Sequence, residues 1–366
     1  MLKVARLRCV AVCAAALCSA SCDSLKEPQK VAVAPASPVG TTVEIKAPLG
    51  LPPVPVPAGN RQTAKSIALG RKLYYDRMAS GDGTLSCASC HNPARGFTDG
   101  MPVSTGFKGQ KGKRNAPTVL NAAYSPVQFW DGRAPSLEEQ AAGPIANPIE
   151  MNQPHEAFIG KLAGNAEYKK LFEDAFGPGP ITLQKVEMAI AGFERTIISG
   201  NSPFDRYQFG GDKKAMSPAA IRGLALFKDA NKGNCVKCHT IDEKYALFSD
   251  GKFHNLGVGV NPEGELTDLG RFDVTKAEAD KGAFRTPTLR NIALTGPYMH
   301  DGSVKTLRAV VDFYVGGGTS NPQLDKEIKE LHLSGKERED LVAFLEALTG
   351  DMPADVGPPD SKSDTK

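Results

Sequence analysis

The chain has 366 residues, a formal net charge of +3 and eight cysteines. Of its 44 Lys and Arg, three (Lys3, Arg6 and Arg8) fall in residues 1–21, which leaves 41 against 41 Asp and Glu. A neutral remainder argues against nucleic acid as the partner, and about 300 residues beyond the Pro-rich N-terminal stretch suffice for roughly two domains with real cores.

The basic N-terminus runs into an apolar stretch from Cys9 to Leu17 and then small residues to Cys22. This pattern predicts a secretory signal peptide over residues 1–22, too short for a good membrane span. Ser19-Ala20-Ser21-Cys22 also resembles a lipobox, in which Cys22 is lipidated after cleavage and tethers the protein to the membrane. Ser19 stands where such boxes usually carry Leu, so simple cleavage stays open. Residues 23–60, crowded with Pro, Ala and Val, read as a tether with too little patterned apolar surface for a core.

A helix carrying Gly70-Arg71-Lys72-Leu73-Tyr74 then leads to Cys87-Ala-Ser-Cys90-His91. Lys108, Lys111, Lys113 and Arg114 read as a solvated loop. Ser136-Leu137-Glu138-Glu139 is a capping box, and Thr182 opens a helix burying Val186, Ile190 and Phe193. A boundary is expected near Asn201-Ser202-Pro203. Ser217-Pro218 opens the next helix, whose Gly223-Leu224-Ala225-Leu226-Phe227 leads to Cys235-Val-Lys-Cys238-His239. Ser334 precedes a last helix with Leu341, Phe344, Leu345 and Leu348, closed by Gly350. Residues 353–366 read as a disordered tail.

Each Cys-x-x-Cys-His pentad reads as a c-type haem attachment site, two thiols forming thioethers and the adjacent His ligating the iron. A zinc ribbon would bring its second Cys pair closer, and a redox dithiol needs no adjacent His. The other four cysteines, Cys9, Cys13, Cys18 and Cys22, lie in the leader, so none remains for a structural disulfide. Export to the periplasm fits covalent haem. A second similarity runs at an offset of 170: Pro117, Thr118, Asn121, Ala123, Asp131, Gly132 and Leu137 recur as Pro287, Thr288, Asn291, Ala293, Asp301, Gly302 and Leu307. In that register Trp130 corresponds to His300. The expected fold class is mainly α: two cytochrome-c-like haem domains related by internal duplication, over residues 61–202 and 203–352.

The stretches LGRKLYYD, SGDGTLSCASCHNPARGFTDG, RNAPTVLNAAYSPVQFWDGRAPSLEEQAAGPIANPIEM, FERTIISGNSPFDRY and TPTLRNIALTGPYMHDGSV give the chain a resemblance to the bacterial dihaem cytochrome-c peroxidase and MauG superfamily. The resemblance covers about residues 49–350. It implies a peroxide site at the N-terminal haem, with acid–base work by Gln140 and Glu150, and an electron-transfer role for Trp130 between two covalent haems c. It also implies one calcium ion between the domains, at Asn115 and the carbonyls of Thr295 and Pro297. Hydrogen peroxide, a small c-type cytochrome or cupredoxin as electron donor, and a second copy of the chain are the expected partners.

Two departures set this chain apart. The founding peroxidases cap the peroxidatic iron with a His on the loop after the first pentad, and here Phe107 stands in its place. An open first haem is therefore expected. Those peroxidases also place a distal Met fourteen residues beyond the His of the PY-x-HDG block, where this chain has Tyr314, as in MauG-like proteins. A Tyr oxygen favours oxidised iron, and axial ligands move haem potentials over ~0.8 V. His254 ranks second for that position and Met299 third. The readings in order are a peroxidase, a MauG-like oxidase modifying a protein substrate, and a dihaem electron carrier.

Overall fold

The computed structural model describes residues 37–359. The expected signal peptide, the Cys22 lipid site and the end of the expected tail lie outside the described residues. The elements in chain order are α1 (Ala64–Tyr75), α2 (Cys87–Cys90), α3 (Leu137–Ala146), α4 (His155–Gly164), α5 (Ala166–Phe176), α6 (Leu183–Glu194), α7 (Pro203–Gln208) and α8 (Pro218–Lys228). Then follow β1 (Phe253–Asn255), α9 (Phe272–Thr275), β2 (Ala283–Arg285), α10 (Leu307–Val315) and α11 (Gly335–Glu346). β1 and β2 pair antiparallel, with His254 opposite Phe284. The structure is helix-rich with this one small sheet among the described residues.

Helix starts follow their capping chemistry. Thr63, Ser202 and Ser334 form reciprocal boxes with Ser66, Asp205 and Glu337. Thr182 and Ser217 accept from backbone amides three residues on. The expected box at Ser136 is only half made: its side chain accepts from the Glu139 amide, with no return bond.

Two helix crossings organise two apolar cores. α1 crosses α6 and α8 crosses α11, each through a glycine on the leading helix. A Cβ on Gly70 would lie 1.8 Å from the Ala189 carbonyl oxygen, and one on Gly223 would lie 1.9 Å from that of Asp340. The Gly-x-x-Leu-aromatic pattern thus has a mechanical cause, since only glycine lets the backbones approach so closely. The aromatic of each pattern then packs edge-on or tilted against the partner helix, Tyr74 on Phe193 at 5.2 Å and Phe227 on Phe344 at 5.0 Å. One buried cluster is built on Leu69, Leu73, Phe158, Val186, Ile190 and Phe193, the other on Phe204, Leu224, Phe227, Phe248, Leu341 and Phe344.

Local geometry recurs between the two cores. Asn121 and Asn291 both adopt left-handed backbone angles, φ +62° and +58°. Each side-chain oxygen accepts a 2.9 Å bond from the segment leaving the last helix of its core, from Ser199 N and Gly350 N respectively. The cores meet at a reciprocal seam. Asn115 N donates to the His300 carbonyl at 2.7 Å, and Arg285 N donates to the Trp130 carbonyl at 2.8 Å. The two bonds connect positions equivalent in the 170-residue register.

Three expectations change. Residues 37–60 are no tether but lie along the body: Val39 N donates to Ala175 O, Val43 N to Gln62 O, and Gly50 O accepts from Ala246 N and Arg290 Nη2. Residues 353–359 likewise pack back on α1, with Val356 only 6% exposed and Tyr75 Oη donating to its carbonyl. Arg114 is not solvated; it is clamped by Asp268 at 2.7 and 2.8 Å and by Asp131 at 2.5 Å. No helix among the described residues is long and apolar enough to cross a membrane.

Candidate haem and peroxide site

Each pentad presents its histidine in the same way. His91 Nδ1 lies 3.2 Å from the Phe97 carbonyl, and His239 Nδ1 lies 2.9 Å from the Phe248 carbonyl. A carbonyl can only accept, so Nδ1 carries the proton and the Nε2 lone pair is left for a metal. Burial pushes both imidazoles below the usual histidine range, which favours the neutral ligating form. Phe97 and Phe248 both sit in the left-handed region, φ +58° and +51°. Their preceding carbonyls are tied down by Thr118 Oγ1 (2.6 Å to Gly96 O) and Thr288 Oγ1 (2.7 Å to Leu247 O). Cys87, Cys90, Cys235 and Cys238 are half-buried and free of disulfides, the donor set that two thioether-linked haems require.

Beyond the first pentad, the 104–110 loop is pinned to the turn that carries Glu150. Phe107 N donates to the Glu150 carbonyl at 2.8 Å, and Gln110 Nε2 donates to the Pro148 carbonyl at 3.1 Å. Glu150 is half-buried, and its Oε1 accepts from Asn147 Nδ2 at 2.8 Å. Burial raises its proton affinity above the ordinary carboxylate range, with Arg133 and Asn147 pulling partly the other way. Its charge adds to the raising of the Cys90 thiol, and its backbone is bonded to the loop that follows the first pentad. Gln140 lies half-buried on α3, its amide group in no hydrogen bond among the described residues.

The second pentad opens on a cavity of about 620 Å³ lined by Cys235, Cys238, His239, Leu307, Val311 and Tyr314. All three candidates for the distal position, Tyr314, His254 and Met299, line it. They differ in what holds them. Both ring nitrogens of His254 are taken, Nδ1 by Asp325 at 2.5 Å and Nε2 by Asp250 at 3.0 Å. Cys238 sulfur, then Asp325 and Asp250, push this imidazole up to about 10. Thioether formation at Cys238 would remove the first of these causes and leave the two carboxylates. Tyr314 is buried beside Cys235 and Cys238, and burial raises its hydroxyl far above the usual tyrosine range. That hydroxyl makes no hydrogen bond among the described residues.

Trp130 lines the same cavity and is held at both ends of the seam: its Nε1 donates to the Asn115 carbonyl at 2.9 Å, and its own carbonyl accepts from Arg285 N. Asn115, Thr295 and Pro297 share this wall. Asn115 Nδ2 donates to the carbonyls of Met101 at 2.8 Å and Pro102 at 3.3 Å, so its Oδ1 is the atom free to meet a cation. His300, 4% exposed, stacks on Phe284 at 3.6 Å and is pushed down to about 4 by burial, hence neutral. Sequence reasoning missed Arg285 and the Asp250–His254–Asp325 chain. Only Asp250, four residues before His254, left a signal; Asp325 is 71 residues distant.

A model of the di-haem cytochrome c peroxidase family matches residues 64–214. The methylamine utilization protein MauG of Methylorubrum extorquens is 42% identical over 304 residues, 82% of this chain and 83% of that protein. The cytochrome c551 peroxidase of Nitrosomonas europaea is 40% identical over 313 residues, 85% of this chain and 88% of that protein. Among solved structures, a MauG-like protein associated with microbial copper homeostasis superposes with a TM-score of 0.75 at 34% identity, covering 85% of this chain and 96% of that one. These relatives mark the chain as an oxidoreductase of a family whose members carry two c-type haems. The chain belongs to the di-haem cytochrome c peroxidase family.

Proposed function

We propose that this protein reduces hydrogen peroxide to water at a haem held by His91, with electrons entering through the His239 side. The observation that carries the reading is Glu150, a carboxyl of raised proton affinity whose backbone is bonded to the loop after the first pentad, where Phe107 offers no ligand atom. When bound at the two pentads, the haems would supply the redox-active iron and the reducing equivalents. Breaking the O–O bond consumes two electrons and two protons and gives two waters. Glu150 takes the proton from the near oxygen and delivers it to the far one, and Gln140 orients the substrate. Trp130 carries electrons between the halves, a role supported by its clamping at the seam by Asn115 and Arg285.

The same reading includes an internal duplication, supported by the matched glycine crossings, the paired asparagine clamps and the reciprocal seam. It includes calcium at Asn115, Thr295 and Pro297, a periplasmic location with or without a lipid anchor at Cys22, and a small c-type cytochrome or cupredoxin as donor. A homodimer belongs to it too.

A second reading, a MauG-like oxidase acting on a protein substrate, is favoured by Tyr314. This residue lines the cavity of the second pentad with its hydroxyl unpaired among the described residues, whereas His254 is held by two carboxylates. Low-temperature EPR of the oxidised holoprotein tests both parts. The expected spectrum has one high-spin haem, from the open first site, and one low-spin haem, from the Tyr314-ligated second. Two low-spin haems would overturn the open site and leave an electron carrier or a reductively activated peroxidase.

A further inference from the structure

Arg285, half-buried, differs from Arg290, Arg195 and Arg114 in having no carboxylate partner. Arg290 makes two bonds to Asp205 at 2.8 and 2.9 Å, Arg195 two to Glu138 at 2.7 and 2.9 Å, and Arg114 is shared by Asp131 and Asp268. Arg285 reaches only the carbonyls of Thr286 at 3.3 Å and Phe129 at 3.5 Å, both longer than a good N–H···O bond. Burial alone pulls its proton affinity down to about 10, with no anion opposing it. Yet the side chain lines the cavity of the second pentad, on the wall shared with Trp130. A guanidinium taken out of water without a counter-anion is strongly unfavourable, and its planar fork matches a carboxylate. The anion must therefore arrive with the occupant of the cavity.

We infer that Arg285 is the counter-cation for a propionate carboxylate of the haem bound at Cys235, Cys238 and His239, a positioning residue for that haem. The inference rests on the reading that the cavity of the second pentad holds a c-type haem, whose two propionates are the only anionic side groups it would bring. Because the backbone N–H of Arg285 also donates to the Trp130 carbonyl, one residue then ties the haem's charged edge to the seam between the halves.

The test uses the holoprotein and variants Arg285→Gln and Arg285→Lys. Removing a positive charge beside the second haem disfavours its reduced form. In Arg285→Gln the ratio of reduced to oxidised second haem at a fixed potential is expected to fall about tenfold, about 59 mV for a one-electron couple. Arg285→Lys, which keeps the charge, is expected to restore most of it. An unchanged potential in Arg285→Gln with both haems present overturns the assignment. Should Arg285→Gln fail to assemble, redox-difference infrared spectra of Arg285→Lys decide. The propionate carboxylate band must shift as its bidentate partner is lost, and an unshifted band overturns the inference. Haem content by the pyridine haemochrome assay separates the two layers. Two haems per wild-type chain support the underlying reading, and a Cys235–His239 peptide without haem by mass mapping overturns it along with the role of Arg285.

Discussion

At Glu150 two opposed influences meet. Burial holds the carboxyl toward its protonated form, and the Asn147 amide and the Arg133 charge hold it toward the ionised one. A proton relay must be ionised to receive. Peroxide turnover is therefore expected to fall as pH drops through a midpoint above the ordinary ~4.3 of Glu. Glu150→Gln is expected to lose ~10²–10⁴-fold in kcat/KM for peroxide and to lose that acid limb with it; a variant with near-normal turnover would remove Glu150 from the mechanism. Glu194 poses a different acid–base problem. Fully buried on α6, its Oε2 has no partner, and burial raises it to about 8. A carboxyl whose folded value lies above its unfolded one binds more protons when folded, so its contribution to stability is complete below about pH 4.5 and is lost as pH rises to about 8. Glu194→Gln is expected to leave the melting temperature unchanged near pH 4.5 and to raise it above the parent at pH 8, as thermal melts at the two pH values would reveal. At this scale the pentads stood out because their motif is contiguous, whereas Glu150, Gln140 and Tyr314 came forward only through the resemblance to the family. Arg285 and the carboxylates holding His254 were not legible, because their roles depend on what the fold places opposite them.

The helices were legible where caps and apolar spacing agreed, as at Thr182, Ser217 and Ser334. Glycine carried information that spacing alone did not: Gly70 and Gly223 looked like repeat markers and turn out to be contact points between crossing backbones. Gly223→Ala puts a methyl 1.9 Å from the Asp340 carbonyl, within a backbone contact that no side-chain rotation relieves. It is expected to destabilise the α8–α11 core by about 1–3 kcal/mol in denaturant unfolding. Alanine at Gly160, on α4, meets nothing within 4 Å and serves as the control. The irregular segments were misread for a shared reason. Residues 37–60 and 353–359 carry little apolar periodicity because they are held by backbone and side-chain hydrogen bonds at the surface of cores built by other elements.

Across the whole molecule, Arg290 links three distant stretches. Its guanidinium grips Asp205 of α7 through two bonds and also donates to Ala246 O and Gly50 O. All of this is buried, with side-chain exposures of 1% and 0% for the pair. Arg290→Met leaves Asp205 an unpaired buried charge and is expected to cost about 3–5 kcal/mol. Replacing both residues, Arg290→Met with Asp205→Leu, is expected to recover part of that loss, and equilibrium unfolding of the single and double variants measures the difference. The N-terminal stretch at Gly50 should loosen first, which hydrogen exchange at Ala246 and Gly50 would detect.

The reciprocal bonds at the seam, Asn115 to His300 and Arg285 to Trp130, have the form of a two-fold handshake in which each side gives what it receives. Such a pairing is saturated: like the interface of a symmetric dimer, it leaves no open valence for a third party. Any homodimer would therefore have to use another face. Conversely, a single half cut free at residues 201–203 would carry an unmet edge complementary to itself, and would be drawn to pair with its own kind.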